Sequence, residues 1–97
     1  VATTELSRAA ERDLIDIYLY GAEHFGAAQA ERYAKSLASK IATAADNPSF
    51  GVDYSHVRRG LRRYENVSHA IYYQPTSDGI LVLRILHGRM DPARHLA

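Results

Sequence analysis

The stretch ILVLRILHGRMDPARHLA, residues 80–97, decides how the rest of the chain is arranged. An apolar run broken only by Arg84 ends at His87 and gives way to Gly88, Arg89, Met90, Asp91, Arg94 and His95. A short run of this kind, apolar at nearly every position, marks a strand covered on both faces rather than one facing water. It therefore belongs in the middle of a sheet. Alternation puts Leu81, Leu83, Ile85 and His87 on one face and Ile80, Val82, Arg84 and Leu86 on the other. We assign the first set to a core beneath helices and the second to an open face. Ile80, Val82 and Leu86 would there form an apolar patch of the kind a partner covers.

Working back from this strand, residues 2–6 read as a short extended run and Ser7 as a helix N-cap. Ala10, Leu14, Ile17, Gly21 and Phe25 recur at helical spacing and predict a helix over 8–24. Gly26 breaks it. Ala30, Tyr33, Leu37, Ile41 and Ala44 predict a second helix over 27–46, stopped by Pro48. Residues 48–60 show no periodicity and read as a loop. Extended runs follow at 61–66, 69–74 and 80–87, separated by turn-forming residues, and a short basic tail occupies 88–97. The result is one α+β domain of order β-α-α-β-β-β, with a helix hairpin packed on one face of an antiparallel sheet. Counting reversals along that order makes the first and last strands neighbours running antiparallel.

With 97 residues and 46% apolar content, the chain has material for a single core. It contains no cysteine, which excludes disulfides and thiolate chemistry and fits a reducing cytoplasm. Neither a membrane-spanning run nor a signal-peptide pattern is visible. Charge is unevenly distributed. Residues 1–53 carry five basic and eight acidic groups, whereas 54–97 carry seven basic and three acidic ones. All seven are arginines (58, 59, 62, 63, 84, 89 and 94), whose planar forks suit phosphates and carboxylates. This favours a surface for an acidic protein or a nucleic acid.

Site chemistry is sparse. His87, at a strand exit near arginines, is a candidate acid or base. Arg84 needs a counter-charge, for which Glu65 is a candidate, and one of Arg62 and Arg63 shares its face. Tyr64, Tyr72 and Tyr73 read as strand formers, and Asp13 and Asp16 as residues on the solvated face of the first helix. None of the five histidines lies three or four residues from another, so no metal site is expected, nor any cofactor.

Several segments together resemble the ParE toxins of the ParE/RelE superfamily. They are LSRAA at 6–10 with Asp13, Leu14 and Ile17; Gly26 with Gln29-Ala30; Pro48 and Gly51; GLRR at 60–63; and RILHGRMDPARHL at 84–96. The resemblance implies the two-layer RelE-like fold and a ribbon-helix-helix antitoxin of the ParD type whose tail wraps the toxin. It also implies DNA gyrase as the target, poisoned without catalysis, with DNA contacted only through the antitoxin complex. Relatives of the RelE kind instead cleave mRNA on the ribosome; here Arg63, Arg84 and His87 would be the nuclease residues. A degenerate toxin that only binds antitoxin is the third alternative. On the gyrase reading, target contact falls to His87, Arg89, Met90, Asp91, Arg94 and His95. Antitoxin contact falls to the groove of the helix hairpin and to Arg62, Arg63, Ile80, Val82, Arg84 and Leu86.

Overall fold

The computed structural model describes residues 2–97. Strand β1 (Thr3–Leu6) leads into helix α1 (Arg8–Phe25), which turns at Gly26 into helix α2 (Ala27–Asp46). The Ser7 hydroxyl accepts the Ala10 N–H at 3.0 Å and caps α1. Gly26 serves as the last cap of α1 and the first of α2 at φ 90°, a conformation that costs a residue bearing Cβ and suits glycine. Strands β2 (Val52–Asp53), β3 (Arg62–Asn66), β4 (His69–Pro75) and β5 (Gly79–His87) follow, and a short helix α3 (Pro92–Leu96) closes the chain.

The five strands form one sheet in the order β1-β5-β4-β3-β2. First and last strands are neighbours, but they pair parallel, with Thr3 opposite Gly79 and Leu6 opposite Val82. The antiparallel expectation failed by one reversal. Val52 and Asp53, expected in a loop, form a short strand antiparallel to β3, and this extra turn of the chain flips every strand after it.

The face assignment of β5 is also corrected. Tyr72 lies opposite Arg84 while Tyr73 lies opposite Val82, so Leu83 is an extra residue and the strand bulges there. Alternation shifts by one across the bulge. Ile80 and Val82 join Ile85 beneath the helices, packed with Leu37, Ile41, Ile71 and Tyr73. Leu83 and Leu86 face the other way, into a second cluster with Leu61, Ala70, Tyr72 and Leu96. Leu81, placed in the core by strict alternation, is only half-buried and belongs to neither cluster.

That second cluster explains why the sheet does not expose the expected apolar patch. The segment before β3 folds back through Tyr54, Val57 and Leu61, and α3 inserts Leu96, so the chain covers its own second face. Residues 88–97 are therefore not merely a basic tail. Asp91 caps α3 by accepting the Ala93 N–H at 3.0 Å, Pro92 opens the helix, and Leu96 is 3% exposed. Among the described residues no helix is long and apolar enough to cross a membrane.

Candidate functional site

The bulge in β5 sits where β1 ends and α1 begins. Beyond Leu6 the edge of β5 has no strand beside it, and α1 takes over its backbone groups. Ser7 donates its N–H to the Val82 carbonyl at 2.9 Å and its hydroxyl to the Leu83 carbonyl at 2.7 Å. Six residues further on, Asp13 accepts from the Ile85 N–H at 2.9 Å. The same carboxylate accepts from Arg84 Nε at 2.8 Å and from its second guanidinium nitrogen at 3.0 Å. Arg84 is thus paired with Asp13 and not with Glu65, and Asp13 lies at the packed edge of the helix rather than on its solvated face. The hydrogen bonds to Asp13 raise the Arg84 pKa further above its ordinary value. This pair joins the first helix to the last strand.

Of Arg62 and Arg63, it is Arg63 that shares the strand face of Arg84, the two flanking Tyr72, but neither bonds to Arg84. Arg62 donates to the carbonyls of Gly51 and Ser49 and so holds the turn after α2. Arg63 is on the second face, 2.8 Å from Glu65 and over the rings of Tyr54 and Tyr72. Ile80, Val82 and Leu86, expected on an antitoxin-binding face, are buried in the two cores at 0%, 0% and 1% exposure. Of the three nuclease candidates, Arg63 is engaged on one face, Arg84 is tied to Asp13, and His87 stands at the end of β5.

His87 has a neighbour that sequence reasoning missed. Its ring lies edge-on to His69 at 5.5 Å, across the β4–β5 pair. His69 Nδ1 is 2.6 Å from the Tyr33 hydroxyl on α2, which also donates to the Asn66 carbonyl at 2.9 Å. Asn66 in turn donates to Ser36 at 3.0 Å. The network fastens α2 to the β3–β4 turn and ends at the exposed His87, whose Nδ1 accepts the Arg89 N–H at 3.2 Å. Burial raises the Tyr33 phenol pKa. Burial, reinforced by the charge His87 can carry, lowers the His69 pKa, and Asp13 opposes this only in part.

A depressed histidine pKa means that the folded state prefers the neutral ring. Protonation then favours the unfolded chain, so stability falls as pH drops through the ordinary histidine range near about 6.5, and the loss levels off below the folded-state value. The urea midpoint is expected to be lower at about pH 5.5 than at about pH 8, with a smaller difference in His69→Gln. An unchanged pH dependence in that variant would show that His69 is not the responsible group.

The remaining residues expected at the target surface, Arg89, Met90, Asp91, Arg94 and His95, are all exposed, although Asp91 is engaged as the α3 cap. On the other side of the molecule, α1, α2 and β1 enclose an open groove of about 380 Å³, lined by Leu6, Leu14, Ile17, Tyr18, Ala34 and Ala38 among others. Ala30, Ala34, Ala38 and Ala42 of α2 line it with methyl groups alone. Its lining is almost wholly apolar. Among the described residues no three histidine, cysteine or carboxylate side chains converge as a metal site would need.

Residues 4–92 match the family described as the ParE toxin of the type II toxin–antitoxin system parDE. The chain is 35% identical over 91 residues to Toxin ParE1 of Caulobacter vibrioides, with 94% of each chain covered. It is 38% identical over 92 residues to Toxin ParE1 of Mycobacterium tuberculosis, again with 94% of each covered. A solved structure of a chromosomal ParDE system from P. aeruginosa superimposes with a TM-score of 0.75 at 18% identity, covering 89% of this chain and 95% of that one.

Proposed function

Because the chain belongs to the ParE toxin family of type II toxin–antitoxin systems, we propose that it poisons DNA gyrase in the cytoplasm and that a ParD-type antitoxin neutralises it. In this reading the toxin binds gyrase without catalysis and blocks rejoining of the cleaved DNA. One observation carries the choice of poison over nuclease: of the three residues named for a nuclease site, both arginines are held in ion pairs within the fold. Arg84 is neutralised by Asp13 in a two-pronged pair, and Arg63 is paired with Glu65. That leaves His87, which has the His69 ring and the Arg89 backbone N–H beside it and neither of the two named arginines. What stays available is a surface: the exposed turn and helix at 88–95 toward the target, and the apolar groove of the helix hairpin toward the antitoxin.

The test is incubation of purified toxin with gyrase and supercoiled plasmid, followed by detergent and protease. Linear DNA is expected to accumulate in proportion to toxin and to disappear when the antitoxin is added first. If supercoiling proceeds unaffected and no linear product forms, gyrase is not the target. Cleavage of mRNA in a translating extract would then establish the nuclease reading.

A further inference from the structure

We propose that the face of the sheet opposite the helix hairpin binds the phosphate backbone of duplex DNA, independent of sequence, through Arg58, Arg59, Arg89 and Arg94. The second half of the chain is rich in arginine, and the fold spends three of the seven internally. Arg62 binds carbonyls, Arg84 binds Asp13 and Arg63 binds Glu65. The other four are exposed, and among the described residues none lies within salt-bridge distance of a carboxylate. They are not scattered. Arg58 and Arg59 stand in the segment whose Tyr54, Val57 and Leu61 pack on the second core, Arg94 is on the helix whose Leu96 packs there too, and Arg89 is in the turn leading to it.

An acidic protein would also be attracted to these charges, but a protein interface needs an apolar centre. The large exposed apolar side chains do not gather among these arginines: Ile15, Leu19, Tyr20 and Phe25 are on α1, Phe50 and Val52 at the β2 edge of the sheet, and Val67 in the β3–β4 turn. Beside the four arginines stand single side chains only: Met90, at 38%, next to Arg89, and Val67 in the turn whose Ser68 carbonyl accepts the Gly88 N–H. A charged surface without an apolar centre fits phosphate, where neutralisation and counterion release supply the affinity. This adds a direct contact to the one expected through the antitoxin.

The measurement is fluorescence anisotropy of a labelled random-sequence duplex titrated with purified toxin, without gyrase, over a salt series. Four phosphate contacts predict micromolar or weaker binding and a slope of log K against log salt of about −3 to −4. Arg58→Glu with Arg59→Glu should lower affinity at least tenfold and make the slope shallower, while Arg32→Glu on the helix side leaves both unchanged. Arg58→Gln with Arg59→Gln repeats the comparison should the reversed variant lose its circular dichroism signature. Absence of binding at low salt, a slope near zero, or wild-type affinity in the glutamine variant would overturn the proposal. So would displacement of the duplex by polyglutamate more readily than by unlabelled DNA of equal charge, which would assign the face to an acidic protein. Because gyrase is absent, DNA binding without trapped cleavage complexes would remove the gyrase reading alone, and the converse would remove this one alone.

Discussion

Asp13→Ala is expected to lower the unfolding free energy by about 3 kcal/mol, the lower end of the range for breaking a buried ion pair by removing one partner. The lower end applies because the side chains of Asp13 and Arg84 retain 14% and 23% exposure, so water softens the loss. The substitution removes the acceptor for Arg84 at 2.8 and 3.0 Å and for the Ile85 N–H at 2.9 Å, on a strand edge that no other strand covers. Asp13→Asn keeps one oxygen for the backbone amide but cannot receive the guanidinium on both prongs, and should lose roughly half as much. Arg84→Met removes the charge together with its demand for a partner. Combined with Asp13→Ala in a double-mutant cycle it should show a coupling of about 2 kcal/mol. Urea unfolding measures all four proteins. A loss below about 1 kcal/mol for Asp13→Ala would mean the pair is a surface contact of little weight.

Gly79→Ala should be comparably damaging, at about 3 kcal/mol, the upper end of overpacking costs. Gly79 lies directly opposite Thr3, and a Cβ there would overlap the Thr3 carbonyl oxygen and approach its C and N atoms to 2.7 and 2.8 Å. All three are backbone atoms, so no side chain can swing aside. β1 has β5 as its single strand neighbour, and the strain is relieved by its leaving the sheet, with loss of the 2.8 Å bond from the Thr3 N–H to the Asp78 carbonyl. Thr4 and Leu6 of β1 also line the groove between the helices, so affinity for the proposed antitoxin should fall in the same variant. Amide exchange would show lost protection confined to β1. Wild-type protection there would show that the strand accommodates the methyl group.

The helices were readable because their signals are local: a 3.6-residue apolar period, a serine cap, a glycine junction and a proline stop. The strands after Gly60 were readable for the same reason. What failed was non-local or arose from a single residue. Two residues of β2 carry too little pattern to be seen, yet their reversal sets the parallel pairing of β1 with β5. One extra residue at Leu83 moved Ile80 and Val82 from an expected surface into the core. Asp13 was legible in principle: it stands three residues after Ala10 and four before Ile17, on the border of the inward stripe, and the apolar strand carried a single arginine in need of a carboxylate. His69 left no such sign, because its partners Tyr33 and His87 meet it only through the packing of α2 on the β4–β5 pair. The family resemblance supplied what these residues could not, membership of the ParE toxins.

The pairing of Thr3 with Gly79 has a consequence in time. A growing chain emerges N-terminus first, and β1 has nowhere to dock until the last strand has left the ribosome. The helix hairpin can form early, since its contacts are local, but Ser7 and Asp13 wait for Leu83, Arg84 and Ile85, more than seventy residues away. Closing so long a loop is entropically costly and comes late. The assembled sheet therefore exists only once β5 has emerged, and until then β1 and the inner edge of α1 are without their partners.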